Sequence, residues 1–165
     1  MSDGTFIRLK ECISTLPPSD NDKVAINWTA VKKNRYSNGK KMPVISNTSA
    51  YNRWKNKAST AFRIGKNEPY EEDCMAFIFC VFPDNRRRDA SNREKALFDA
   101  LEKSGCVFTD DKLVKYHANM RLIIPDRKFI VVYVTPYDET LIESNIINKL
   151  AKRVSRLAKQ EDAPS

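Results

Sequence analysis

The sequence has no long apolar segment and no recognisable export signal. Its 165 residues contain no apolar run that could cross a membrane, which takes about 20 residues. The first residues also lack the charged start, apolar stretch and small-residue cleavage site of a secretory signal. We therefore expect a soluble, intracellular protein with no membrane partner.

Histidine and closely spaced cysteines are scarce. His117 is the single histidine, and the four cysteines form no Cys-x-x-Cys pair. Structural zinc sites need four such ligands, usually in closely spaced pairs. We therefore expect no zinc site. The cysteines are instead predicted to be buried free thiols: Cys12, Cys74, Cys80 and Cys106.

Acidic residues are absent from positions 23–66, which carry eleven Lys and Arg side chains in a chain of net charge +8. Four aromatic residues are interleaved with these cations: Trp28, Tyr36, Tyr51 and Trp54. This mixture suits neutralisation of phosphates together with stacking on bases or sugars, so it indicates nucleic-acid binding. The alternative is a solvated basic face on an unrelated protein. An acidic membrane is a poorer partner, because no strong apolar helix face accompanies the charges.

Hydrophobic periodicity predicts the elements of the first half of the chain. Residues 1–21 carry an apolar pattern ended by Pro17 and Pro18, and we interpret them as an appended helix or arm. A strand begins near Val24 and is followed by a basic loop at 34–41. A helix capped by Ser46 or Asn47 is expected to run to about Ile64, with its aromatic residues in the core.

The second half contains the clearest signals. Residues 74–82 form an apolar run typical of a central strand, and a helix with a Ser91–Glu94 capping box is predicted to end near Gly105. Residues 113–124 and 129–134 are predicted to form an antiparallel hairpin. A last helix is expected over 138–159. Together these patterns predict an α/β (α+β) fold, a single domain with a small mixed sheet flanked by helices.

Three aspartates are candidates for metal chemistry. Asp89 precedes the predicted helix, and Asp110 with Asp111 precedes the next strand. We expect the strand–helix–strand unit to bring both loops to one end of the sheet. Carboxylates are the ligands that Mg²⁺ prefers, and Mg²⁺ promotes phosphodiester hydrolysis. Composition alone favours a simpler interpretation, in which Asp89 is a solvated loop residue and the Asp pair starts a turn.

A longer motif string resembles the RusA family of Holliday junction resolvases. That family carries an Asp-x-Asp-Asn-x-x-Lys segment, then an Asp-Ala-Leu helix, then an Asp-Asp loop. Here positions 89–95 have the sequence Asp-Ala-Ser-Asn-Arg-Glu-Lys, positions 99–101 Asp-Ala-Leu, and positions 110–111 Asp-Asp. A weaker likeness at 34–36 and 50–51 extends the resemblance over about 24–137. The resemblance implies a nuclease domain at 22–137, with an extension at 1–21 and a helix and tail at 138–165.

The resemblance also implies roles for individual residues. Asp89 and Asp111 would bind Mg²⁺, or Mn²⁺, with Asp110 in second place, and Lys95 would be an essential cation beside the scissile phosphate. Asp99 would be structural. The residues expected to contact DNA are Asn34, Arg35, Arg86, Arg87, Arg88 and Asn92. The resemblance further implies a homodimer that acts on four-way DNA junctions and uses no small-molecule cofactor. We expect the protein in the cytoplasm, near the nucleoid or in a phage-infected host.

Ser91 departs from the family pattern, because it occupies the position of the second Asp in the Asp-x-Asp pair. A neutral hydroxyl is a poor Mg²⁺ ligand, so metal affinity is expected to fall. Three outcomes stay open: Asp110 or Glu94 substitutes, water fills the gap in a weaker enzyme, or cleavage is lost while junction binding survives. We expect retained activity in junction resolution during recombination and repair. The alternative is a catalytically weak or inactive junction-binding protein.

Overall fold

A computed structural model describes residues 9–18, 24–33, 41–63, 68–86 and 93–160. The strands are β1 (Lys10–Ser14), β2 (Val24–Lys33), β3 (Lys41–Asn47), β4 (Cys74–Phe82), β5 (Val114–Ile123) and β6 (Phe129–Pro136). The helices are α1 (Ser49–Arg63), α2 (Glu94–Ser104), α3 (Glu139–Glu143) and α4 (Ile146–Leu157). This mixed content of helices and strands confirms the predicted fold class.

Four strands form a mixed sheet in the order β1, β6, β4, β5. β1 and β6 are antiparallel, β6 and β4 are antiparallel, and β4 and β5 are parallel. β2 and β3 form a separate antiparallel pair with an irregularity between Asn27 and Val31.

β4 is the centre of the domain, as its continuous apolar sequence predicts. All nine of its residues are buried. Because successive side chains of a strand point to opposite faces, alternate residues of β4 enter two separate cores. One core is shared with α1 and α2, and the other is shared with α3 and α4. The sheet is therefore covered by helices on both faces.

The predicted hairpin between the last two strands is wrong in its pairing. Both strands lie close to the predicted positions, but β4 lies between them and each pairs with β4. The connection passes the end of β4, where the Ile124 amide donates to the Phe82 carbonyl over 2.9 Å. Asp126 takes a left-handed φ of 61° in this connection, a conformation that Asp tolerates better than most residues.

The first segment is also corrected, since Lys10–Ser14 is a strand of the main sheet and not a helix. β3 occupies part of the region where the first helix was expected to begin. That helix starts at Ser49, and Thr48 caps it by accepting a hydrogen bond from the Tyr51 amide (3.2 Å). The basic loop predicted at 34–41 lies outside the described residues, apart from Lys41 at the start of β3.

The C-terminal helix is broken into α3 and α4 at positions 144–145. Both parts pack against the sheet. The break changes the helical phase, and Ile142 and Leu157 are half-buried. The buried residues of this region are Leu141, Ile146, Leu150, Val154 and Ala158.

The thiols are free, as predicted, and three of the four are fully buried. Burial raises the pKa of Cys74 to about 11 and that of Cys80 to about 12. These thiols therefore stay neutral near pH 7 and act as apolar core atoms. None of the described helices has the length and apolar character of a membrane span.

Candidate nuclease site

The segment that joins β4 to α2 carries most of the predicted site. The structure describes this segment up to Arg86 and again from Arg93. Several predicted site residues lie outside the described residues, namely Asn34, Arg35, Arg87, Arg88, Asp89, Ser91 and Asn92. Their roles stay predictions. The predicted capping box is corrected, because α2 begins at Glu94 with Arg93 as its N-cap residue and no side-chain cap hydrogen bond.

Arg86 marks the entrance to this segment and is exposed. Its amide donates to Asp84 Oδ1 (3.0 Å), and its Nε lies 3.7 Å from Asp84 Oδ2. Its carbonyl oxygen accepts a hydrogen bond of 2.6 Å from the guanidinium of Arg121 on β5. That guanidinium also lies over the Phe82 ring, 5.6 Å from the ring centroid. The end of β4 and the first residues after it are therefore tied to β5.

Glu94 and Arg93 mark the exit from the segment. Glu94 Oε1 accepts a hydrogen bond from Asn119 Nδ2 (2.9 Å), and Glu94 Oε2 lies 3.2 Å from His117 Nε2. The Arg93 side chain donates to the carbonyl of Pro17. Lys95, the next residue along α2, is exposed.

Asp110 and Asp111 precede β5 in a short 3-10 turn, Asp111–Leu113. Asp110 caps this turn, because its Oδ1 accepts from the Lys112 amide (2.9 Å). That hydrogen bond, helped by the charge of Lys112, lowers the pKa of Asp110 below its ordinary value. Asp111 is exposed. One carboxylate therefore organises the turn while the other faces solvent.

The expectation that both acidic loops meet at one end of the sheet stays a prediction, because Asp89 lies outside the described residues. β4 and β5 are parallel and pair from Cys74 with Val114 to Phe82 with Ile123. The chain therefore leaves β4 at one end of the pair and enters β5 at the other. At ~3.3 Å per residue, those two ends are about 26 Å apart. Among the described residues, no three His, Cys, Asp or Glu side chains form a group that could hold a metal ion.

Comparison with known proteins decides the family. A sequence model described as "Endodeoxyribonuclease RusA" matches residues 26–128, which is more than half of the chain. The chain belongs to the RusA family. This result confirms the resemblance predicted from the motif string.

Individual RusA relatives match over different lengths. The crossover junction endodeoxyribonuclease RusA of Aquifex aeolicus (strain VF5) is 24% identical over 111 residues, which are 64% of this chain and 83% of the relative. Proteins of that name from Escherichia coli (strain K12) and Enterobacteria phage 82 are 51% identical over 39 residues, 24% of this chain. The match covers 32% of these two relatives, about a third of their length.

Asp99 of the RusA-like Asp-Ala-Leu helix has the structural role that was predicted for it. The Tyr51 hydroxyl, on α1, donates a hydrogen bond to Asp99 Oδ2 on α2. Tyr51 is fully buried and Asp99 is partly buried. The contact therefore joins the two helices that cover one face of the sheet.

Sequence reasoning missed the contacts of Glu94 with His117 and Asn119, and that of Arg121 with Arg86. It assigned Glu94 to a capping box, because the Ser-x-x-Glu spacing matches that motif. The spacing of His117, Asn119 and Arg121 at every second position was a usable signal. Such spacing places the three side chains on one face of a strand.

We predict that Tyr51→Phe lowers the free energy of unfolding by about 1–2 kcal/mol, because Asp99 loses a donor in a partly buried position. Chemical denaturation measures this change. Tyr137→Phe is the matched control, because that hydroxyl lies 3.4 Å from Glu139 Oε1 on an exposed residue. The control should change stability by less than about 0.5 kcal/mol. Equal losses in the two variants would contradict a specific role for the Tyr51–Asp99 contact.

Proposed function

We propose that this protein is a Mg²⁺-dependent DNA endonuclease that cuts four-way junctions during recombination and repair in the cytoplasm. The observation that carries the proposal is the RusA family match over residues 26–128. The relatives that match are named crossover junction endodeoxyribonucleases. The acid-free basic stretch at 23–66 supports binding to a polyanion.

The donor set fits a hard divalent cation. Asp111 presents an exposed carboxylate, and Asp89 supplies a second one from the segment after Arg86. Mg²⁺ is usually held by one or two carboxylates together with water and phosphate oxygens. When bound, Mg²⁺, or Mn²⁺ in its place, would polarise the scissile phosphate and lower the pKa of an attacking water.

The remaining residues of the proposed site bind and orient the DNA. Lys95 is exposed beside the segment, and its ammonium would balance the charge that develops on the phosphate. Contacts to backbone phosphates position a protein on DNA without reading its sequence. The residues proposed for such contacts are Asn34, Arg35, Arg86, Arg87, Arg88 and Asn92.

We propose further that two copies of the chain complete each metal site. The chain leaves β4 toward Asp89 at one end of the parallel β4–β5 pair, and it enters β5 from Asp111 at the other end. A two-fold dimer can place the first loop of one copy beside the second loop of the other, twice, by symmetry. Two sites in one dimer also suit the paired cuts that resolve a junction.

A junction-binding protein without cleavage is the second candidate, and Ser91 favours it. The neutral hydroxyl removes one formal negative charge from the position where the family has Asp. We propose that activity is retained, because Asp89, Lys95 and Asp111 are present.

We predict that the protein with Mg²⁺ introduces paired, symmetric nicks into a synthetic four-way junction, leaving 5′-phosphate and 3′-hydroxyl ends. Denaturing gels of end-labelled strands measure the cuts. Linear duplex of the same sequence and chelated metal are the controls. Slower gel migration of the junction without any nick would instead support a junction-binding protein that does not cleave. Equal binding to linear duplex would contradict junction selectivity.

We predict that Asp89→Asn and Asp111→Asn are each inactive but regain nicking when mixed and allowed to exchange subunits. A mixed dimer holds one intact site and one doubly damaged site, so about a quarter of all sites recover. Each mixed dimer should nick one strand and fail to make the paired cut.

Asp89→Asn mixed with the double variant Asp89→Asn/Asp111→Asn is the control, since no intact site can form in it. Activity in the first mixture alone supports sites shared between subunits. No recovery, together with confirmed subunit exchange, would show that each site lies within one subunit.

We predict that Ser91→Asp lowers the Mg²⁺ concentration needed for half-maximal cleavage, on the order of tenfold, because a carboxylate is added to the site. Metal titration of the cleavage rate measures this shift. Ser91→Asn is the matched control, being similar in shape and neutral. The same shift in both variants would argue against a ligand position at residue 91.

A further inference from the structure

We propose that three residues of β5, His117, Asn119 and Arg121, are positioning residues that hold both flanks of segment 87–92. The inference rests on the proposed function, because that segment contains the proposed metal ligand Asp89. It concerns side chains that neither the family motif nor the basic stretch includes.

The three residues lie on one face of β5, since they occupy alternate positions of the strand. The intervening side chains of β5, Tyr116, Ala118 and Met120, pack against the core that contains α4. The face with His117, Asn119 and Arg121 is therefore the face of α2. These three polar side chains, the β5 row, therefore lie beside α2, the helix that follows segment 87–92.

Arg121 holds the entrance flank. Its guanidinium donates to the Arg86 carbonyl over 2.6 Å and lies 5.6 Å from the centroid of the Phe82 ring. Phe82 is fully buried, so the ring gives the guanidinium a fixed surface. A charge-assisted bond to a main-chain oxygen orients the backbone itself at residue 86.

Asn119 and His117 hold the exit flank. They contact the two carboxylate oxygens of Glu94 over 2.9 Å and 3.2 Å. The Asn119 side-chain oxygen lies 3.9 Å from Cys80 Sγ on β4, and the Phe98 ring packs edge-on against His117 at 5.7 Å. Both partners of Glu94 are therefore themselves held by neighbouring elements.

The consequence is that one strand fixes the two ends of the segment. Asn119 and Arg121 are about 7 Å apart along β5, at ~3.3 Å per residue. The eight steps from Arg86 to Glu94 could span about 27 Å if the chain were extended. Holding the two ends at nearby points restricts the conformations open to the connecting chain before any ligand binds. A metal ligand in the segment then needs less ordering when the ion and DNA arrive.

Three variants test the row in the full-length protein. Arg121→Met removes the donor to Arg86 but keeps an apolar chain over Phe82. Glu94→Ala removes the acceptor on the exit flank, whereas Glu94→Gln keeps an oxygen for Asn119. Arg153→Met is the matched control, since its guanidinium also lies over an aromatic ring, 5.7 Å from the Tyr133 centroid, on the other face of the sheet.

Two readouts are needed, amide hydrogen exchange of residues 85–94 and junction cleavage under saturating substrate. We expect faster exchange and an approximately tenfold lower kcat in Arg121→Met and Glu94→Ala, as for groups that support metal ligands. Glu94→Gln should keep both the exchange rate and kcat close to those of the unaltered protein. Junction affinity and the unfolding midpoint should change no more than in Arg153→Met.

Unchanged exchange in Arg121→Met and Glu94→Ala would overturn the proposal, as would faster exchange with an unchanged kcat. A fall in kcat of the same size in Arg153→Met would also overturn it, because the effect would then be general. Absence of cleavage by the unaltered protein would contradict the proposed function. The exchange data alone would then decide whether the β5 row holds the segment.

Discussion

The parallel pairing of β4 with β5 sets the geometry on which the rest of the molecule depends. Because the two strands run in one direction, the chain must leave the sheet at one end and return to the other through α2. The end of β4 and the start of β5 therefore lie at opposite ends of the strand pair. The same pairing brings the polar row of β5 beside the start of α2, where it contacts Glu94. The course of the chain from β4 to β5 and the contacts of the β5 side chains with Glu94 are two results of one strand pairing.

Because β4 is apolar along its whole length, the polar side chains next to it in sequence lie in the segments beyond its ends. With nine buried residues and helices on both faces, β4 gives the domain a rigid centre. The Tyr51–Asp99 contact joins α1 to α2 on one of those faces. Side chains on either side of the connecting segment, Arg86 and Lys95, remain exposed. A positively charged surface on a fixed scaffold is suited to a large, charged substrate such as DNA.

Local patterns predicted β4, the end of α2 at Gly105 and the approximate positions of the last two strands, because each depends on a nearby run of residues. Gly105 takes the left-handed φ of 66° that its position after a helix suggests. β5 and β6 each pair with β4, which is distant from them in sequence, so their partner could not be found from local patterns. β1 is a strand because it pairs with β6. Asp99 was interpreted correctly from the family motif. The partners of Glu94 could not be found without knowing that β5 is parallel to β4 and adjacent to α2.

We propose above that carboxylates of residues 89 and 111, from two copies of the chain, bind one divalent ion. Crystals soaked in Mn²⁺ and measured for anomalous scattering test this claim most directly. We predict two equivalent Mn²⁺ peaks per dimer, each within coordination distance of Asp89 of one subunit and Asp111 of the other. Mn²⁺ peaks that lack either carboxylate, or that involve both residues of a single subunit, would contradict it.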